Sequence, residues 1–522
     1  MIDMRRFNIV LVAAALTATL ASSAWALSAR GTVFHDRDGD GVMGPREPGL
    51  PGVGVSNGDQ VVVTDSSGHW ELPCDDYTIF FVIKPSQWSV RTDQDGVQRG
   101  YYIHCPEGAP DLQYPGVAPT GPLPRSIDFA LTPATEPERF EVICLGDPQP
   151  WNVWEVELLA QDLVEQLAVT ETSAAFGMVL GDVVFDDLSL LPLVTATLGR
   201  AGIPWHYAMG NHDRNYDTGE EFSTTTWHRV VGPDHYAFNY GGVHFLVLEN
   251  IAHQDGGGYS AGLTEEQLNF VREDLRHVPK DTLIVYIQHI PVMEQSDQHR
   301  FLRLFEGRQN VLGLSAHWHS QQHFFLNADF GWPNPMPHHH LVHVASCGAW
   351  WQGQPDHQGI PHANAPDGTP NGYSVIRFDG NRYEIQYRAA RREASYQMRL
   401  WAPEEVEPGD GAFLYANVFG GSERSTVEYR LTRDATMPGE WTRMERRTDP
   451  DPADVEAIRA RYRGIMGPDS PFEIEVPVWC AHLWHTVLAA PEEPGYYRIE
   501  VCTTDMFGNT HQGVRVLRVV AP

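Results

Sequence analysis

Lysine is nearly absent. Of 37 basic residues only Lys84 and Lys280 are lysines, against 68 acidic ones and a formal net charge of −31. That balance disfavours a polyanionic scaffold such as nucleic acid, whose binding needs clustered Lys and Arg to displace counterions. It does not disfavour a small phosphorylated substrate, because bound cations reverse the field around a site. After the first 26 residues no apolar run is long enough to cross a bilayer as a helix, so no stable membrane span is expected. Cysteines number six. Cys74 with Cys105, and Cys480 with Cys502, are plausible disulfides in an oxidising compartment, with connectivity left open, whereas Cys144 lies in an apolar run as a buried thiol. A solenoid-type repeat is lacking.

What is there begins with a leader. Arg5 and Arg6 precede an apolar stretch at 9–20 and the small-x-small site Ala24, Trp25, Ala26. This reads as a secretory signal cleaved after Ala26, in preference to a retained anchor, and gives a periplasmic or secreted protein. At 522 residues the chain is too long for one core, and about three domains are expected. Residues 27–136 show short β-runs cut by Gly, Pro, Asn and Asp, which reads as an all-β sandwich module. Within it Asp36, Asp38, Asp40, Gly41 and Glu47 stand at positions 1, 3, 5, 6 and 12 of a calcium-type loop, with hard oxygen ligands at alternate positions and a glycine at the sharp turn. The flanks are not helical, so it is not an EF-hand proper. A polar linker at 132–139 leads into 137–392, where apolar strands alternate with helical periodicity and imply layered α/β packing. Thr264 and Gln267 form a capping box before one of those helices. Residues 393–522 return to β-runs, a second sandwich with a helical insertion near 452–463.

The central strands share a way of ending. The run at 142–145 delivers Asp147 and Gln149; 176–180 delivers Asp182; 205–209 delivers Asn211 and His212; 283–287 delivers His289; 311–315 delivers His317 and His319. In open α/β sheets the carboxyl ends of strands are where ligands bind. Two carboxylates, two carboxamides and three imidazoles, with His212 set aside, suit a pair of borderline divalent ions, and Asp182 can bridge both.

Five blocks carry a resemblance: DPQ at 147–149, GDVV at 181–184, GNHD at 210–213, His289 before Ile290 and Pro291, and AHWH at 316–319. In their order and strand-end placement they resemble the calcineurin-like metallophosphoesterases, in the branch with an N-terminal β-module and a C-terminal β-domain. DGTPNGYSVIRFDGNRY at 367–383 looks like that branch's closing strands. The resemblance implies a layered β-sandwich with flanking helices between all-β N- and C-terminal domains. It also implies two metal ions (Mn, Fe or Zn) and hydrolysis of a phosphate mono- or diester by attack of metal-bound hydroxide. By position, Asp147, Gln149, Asp182 and His319 would hold one ion and Asp182, Asn211, His289 and His317 the other. His212 would be the general acid, oriented by Asp186 or Asp187, although phosphoprotein-phosphatase spacing puts that carboxylate at Phe185. Two departures stand out: Gln149 replaces a His usual in the wider family, and Ala316 replaces a glycine.

Other residues have plainer readings. His338, His339 and His340 read as a solvated loop in preference to a metal-binding tract, His244 as structural, and Arg300 and Arg303 as surface residues in preference to contacts for substrate phosphate. Trp350 and Trp351 read equally as a pocket wall or as buried packing. The competing function is a non-catalytic extracellular binding protein that uses the calcium loop; a complete ligand set with His212 argues against it.

Overall fold

The computed structural model describes residues 27–170, 173–254, 258–433, 438–466 and 479–521. The expected signal at 1–26 lies outside the described residues. Among the described residues no helix is long and apolar enough to cross a membrane.

Two sheets face each other in the centre of the chain. The first runs Trp205–Ala208, Phe176–Leu180, Arg139–Leu145, Gly372–Asp379 and Arg382–Ala389, parallel through the first three strands and antiparallel after. The second runs Tyr236–Tyr240, Val243–Val247, Ile284–Ile287, Val311–Ser315, His338–Val342 and Gln322–Leu326, with the four middle strands parallel. Alternation along each strand explains the layers. Val142, Cys144, Met178 and Leu180 pack with Phe245, Val247, Ile287 and Leu314 between the sheets. Ile143, Leu145 and Val179 point the other way, onto Leu159, Leu163, Val194 and Leu198 of the outer helices. On the far side Leu246, Ile284 and Tyr286 meet Leu268 and Val271 of the helix Glu265–Leu275. Strands buried on both faces are apolar at most positions and belong between helical layers. The result is a helix–sheet–sheet–helix sandwich, as the resemblance implies. The Thr264 hydroxyl caps the helix by accepting from the Gln267 amide at 3.2 Å.

The N-terminal module is two four-stranded sheets around Val33, Trp70, Phe80 and Leu131. The C-terminal module is a four- and a five-stranded sheet around Leu414, Trp484, Ile499 and Leu517, with the helix Pro452–Met466 inserted.

The histidine tract is not a solvated loop. His338–Val342 is a buried interior strand. Three imidazoles survive there because each finds a neutral partner: His338 and Tyr286 Oη at 2.7 Å, His339 and Tyr383 Oη at 2.8 Å, His340 and Ser315 Oγ at 2.8 Å. Burial pushes His338 down to about 3 and holds His339 and His340 well below the usual imidazole range. The sequence looked polar; these three hydrogen-bond partners are 25 to 52 residues away and are invisible to local pattern. His244 is structural as expected, held by Asn239 and Asp274. All six cysteines are free thiols, so neither plausible disulfide is formed. Cys480 instead sits 3.3 Å from His482, whose other nitrogen meets Asp367 at 3.1 Å, a buried chain that ties the C-terminal module to the central sandwich.

Candidate metal centre

Five strands of the two central sheets, Arg139–Leu145, Phe176–Leu180, Trp205–Ala208, Ile284–Ile287 and Val311–Ser315, are followed by polar side chains at one edge, because parallel pairing within each sheet brings their carboxyl ends into line. The turns that follow are unusual. Asp147, Gln149, Asp182, Asp186, His317 and His319 all have positive φ, between 33° and 69°. Among the described residues only ten non-glycine positions do so, and six of them are these. Such backbone costs on the order of 1–3 kcal/mol each and persists where the surroundings impose it. Glycines make the close approach possible: a Cβ on Gly210 would lie 2.1 Å from the Asp182 amide and carboxylate, and one on Gly181 2.5 Å from the His289 ring.

The side chains converge. Asp182, His289 and His317 place ligand atoms within 4.8 Å of one another. His289 Nε2 lies 3.2 Å from Asp182 Oδ2, 3.1 Å from Asn211 Oδ1, 3.2 Å from His317 Nδ1 and 3.9 Å from Asp147 Oδ1. His319 Nε2 lies 3.8 Å from Asp147 Oδ1. Gln149 Nε2 donates to Asp182 Oδ2 at 2.7 Å. The back of the cluster fixes the tautomers: His289 Nδ1 meets the Leu180 carbonyl at 2.9 Å and His319 Nδ1 the Gly348 carbonyl at 3.1 Å, so Nε2 of each faces the centre.

The electrostatics are those of a buried, mixed-charge cluster. Burial pushes Asp147 up to about 6 against the pull of His319 and His289. Burial also acts on Asp182, but the adjacent His289 outweighs it and holds that carboxyl well below its ordinary range. His289 is pulled down by burial and raised further by Asp182 and Asp147, to about 9. Burial, then the His289 charge, drives His317 to about 3. One imidazole N–H cannot satisfy the Asp182, Asn211 and His317 acceptors that crowd it. Gln149 Oε1 is buried with no hydrogen-bond partner. Surplus acceptors around a shared point, with an orphaned amide oxygen beside them, fit cations, and the mixed imidazole, carboxylate and carboxamide set suits Mn, Fe or Zn.

Around the cluster, several assignments sharpen. Asp186, not Asp187, holds His212: its Oδ1 is 2.8 Å from Nδ1, while Asp187 caps the next turn through the Ser189 amide. His212 is further indexed by its own amide, which donates to Asp182 Oδ1 at 3.0 Å. Asp213, for which sequence offered no role, is fully buried and accepts the amides of Gly210, Val183 and Val184 at 2.8, 3.1 and 3.0 Å, clamping the loops that carry Asp182 and Asn211 together. Arg300 is engaged by Glu265 through two bonds of 2.6 and 2.8 Å. Trp350 packs on His319 with ring centroids 4.8 Å apart, while Trp351 is buried and donates to Asp162 at 2.7 Å, so one tryptophan walls the site and the other packs. Trp151 and Phe185 also border the site; the only sequence sign of Trp151 was its place two residues past Gln149. In the N-terminal module, Asp36, Asp38 and Glu47 converge within 4.8 Å, and Asp40 stands apart, exposed, accepting the Val42 amide at 2.7 Å.

Comparison with known proteins gives two family matches. A model described as the N terminal of Calcineurin-like phosphoesterase matches residues 38–112, and one described as the C terminal of Calcineurin-like phosphoesterase matches residues 340–511. No curated protein matches the chain. Among solved structures, a purple acid phosphatase from yellow lupin (Lupinus luteus) seeds is similar over 66% of this chain and 69% of its own, at 11% identity and a TM-score of 0.34.

Proposed function

Because the chain belongs to the calcineurin-like phosphoesterases, in the branch with flanking β-domains, and is a metal-dependent phosphoric ester hydrolase, we propose that it is an exported two-metal enzyme that cleaves a small phosphate mono- or diester with His212 as general acid. The observation that carries this reading is the convergence of Asp182, His289 and His317 beside an orphaned Gln149 oxygen. Asp147, Gln149, Asp182 and His319 would hold one ion, and Asp182, Asn211, His289 and His317 the other. Two such ions, when bound, supply an activated water and neutralise charge on the phosphoryl oxygens.

The chain's own residues supply the rest. Asp186 accepts from His212 Nδ1, so Nε2 is the nitrogen left to give a proton to the leaving oxygen. The bond from the His212 amide to Asp182 fixes that acid relative to the carboxylate both ions would share. Asp213 holds the two loops in register, so a small displacement of either would move acid and ligands together. Export rests on the leader composition of residues 1–26.

Purified protein is expected to contain close to two transition-metal ions per chain and to hydrolyse nitrophenyl phosphate or bis-nitrophenyl phosphate with added Mn, Zn or Fe. Fewer than one ion per chain together with no turnover of either ester would end this reading.

The loop at 36–47 is proposed to take calcium through Asp36, Asp38 and Glu47, with Asp40 swinging in. Chelation by EGTA is then expected to lower the melting temperature of the parent but not of Asp38→Ala. Equal, unchanged melting in both would dispose of the site.

A further inference from the structure

A column of rings leads out of the metal centre. The His212 imidazole is stacked on Phe185 with centroids 4.2 Å apart and planes 22° apart, and Phe185 is stacked on Trp151 at 4.1 Å and 10°. Trp350 stands edge-on to both, 6.0 Å from Phe185 and 6.3 Å from Trp151, and also touches His319. Rings therefore bridge the residue that would protonate the leaving group and a ligand of the first ion.

The column is unfinished at its outer end. Phe185 has a ring on each face. Trp151 has Phe185 on one face and is 50% exposed, so its other face is open. Three residues on, in the first turn of the helix Val153–Leu159, Trp154 is 57% exposed. The platform is held rigidly from behind: the Trp151 amide donates to Glu155 at 2.8 Å, and the Phe185 amide to the Pro150 carbonyl at 3.2 Å. Trp350 shows the marks of a residue placed for something other than packing. Its φ is +54° and that of Trp351 is +46°, the pair being pinned through Trp351 and Asp162, and its Nε1 is buried without a partner.

We propose that the centre prefers phosphate esters whose leaving group carries a planar aromatic ring, a nucleobase or an aryl group, and that Trp151 is the platform on which that ring stacks. This rests on the hydrolytic reading of the site. A flat open face at the end of a parallel stack selects another flat face, since offset stacking needs planarity and contact at van der Waals distance. An alkyl chain gains no comparable fit there. The shared chemistry is the planar ring; a phenyl substrate beside a nucleoside one separates the two sources.

The test uses the full-length metal-loaded enzyme with adenosine 5′-phosphate, phenyl phosphate and butyl phosphate, and the matching methyl diesters. Adenosine 5′-phosphate and butyl phosphate have leaving groups of similar intrinsic reactivity, so their ratio reports recognition. In W151A the ratio of kcat/KM for the adenosine ester to that for the butyl ester is expected to fall at least about tenfold, chiefly through KM, and in W151F less than about threefold. If phenyl follows adenosine, any ring serves; if only adenosine responds, the ring is a nucleobase. An unchanged ratio in W151A overturns the proposal. Calorimetric titration with adenosine 5′-phosphate and butyl phosphate supplies a second readout. Ring-selective binding that W151A abolishes, in a protein that hydrolyses none of the esters, would defeat the hydrolytic reading and leave the platform standing; equal binding of both ligands by the parent would defeat the platform.

Discussion

His212→Ala is expected to keep its metal and its fold while losing turnover by about 10²- to 10⁴-fold, the range that a positioned general acid supplies. Asp182→Asn is expected to lose both. The difference follows from what each side chain touches. The His212 ring reaches only Asp186 and the Phe185 face, and it is partly exposed, so its removal opens no buried void. Asp182 is buried and takes the His212 amide on one oxygen and Gln149 and His289 on the other. An amide there turns one of those acceptors into a donor facing donors and removes the charge both ions would share. Elemental analysis beside turnover of the nitrophenyl esters decides it. Parent-like rates in His212→Ala would remove its assigned role, and full metal content in Asp182→Asn would remove that of Asp182. Asp186→Asn is expected to fall between, with the imidazole present but less firmly held.

Acid should destabilise the chain steeply, independently of catalysis. His206, His323 and His338 are driven down to about 3 and His343 to about 4 by burial, and His339 and His340 are also held well below the usual range. A group whose folded pKa is depressed keeps full stability above its unfolded value of about 6.5 and loses it as pH falls towards the folded value, because only the unfolded chain takes up the proton. Each such histidine costs about 1.4 kcal/mol per pH unit below that point. Histidines raised by carboxylate partners, such as His235, are protonated in both states below pH 6.5 and add no slope there. Glu249 and Asp213, both pushed up to about 7 by burial, act in the opposite sense, since the folded state takes up their protons first. Six groups against these two, with Asp147 at about 6 a smaller third, leave a net loss on the order of 5 kcal/mol at pH 5, a large share of the stability of a folded domain. The melting temperature is expected to fall by about 10 °C or more between pH 7.5 and 5.0, and His338→Gln, which cannot titrate, to flatten that slope. A melting temperature constant across this interval would show that these imidazoles are protonated in the folded state.

Much of the cluster was legible because its side chains come from strand ends. A strand declares itself by a short apolar run, and a polar residue at a fixed offset past its end needs no knowledge of distant partners. The same logic placed the two outer β-modules through turn residues and alternation. What failed to read locally was whatever depends on a partner far along the chain. The tract at 338–340 looked like solvent-facing polarity, yet its imidazoles are neutral and matched to Tyr286, Ser315 and Tyr383. Asp186 and Asp187 are equivalent neighbours in sequence, and the turn at 185–187, with Asp186 at φ +59°, aims one at His212 and the other at Ser189.

The sequence by itself determined which chemistry is available: imidazoles, carboxylates and carboxamides after five apolar runs, and an acidic chain with almost no lysine. Only the tertiary structure decided how that chemistry is held and what stands next to it. Parallel pairing aligned the strand ends, Asp213 locked two of the loops, and Trp151, Phe185 and Trp350 came together from positions up to 199 residues apart. Ring stacking and buried hydrogen bonds are contacts across the fold, so a one-dimensional pattern carries no trace of them until the sheets have closed.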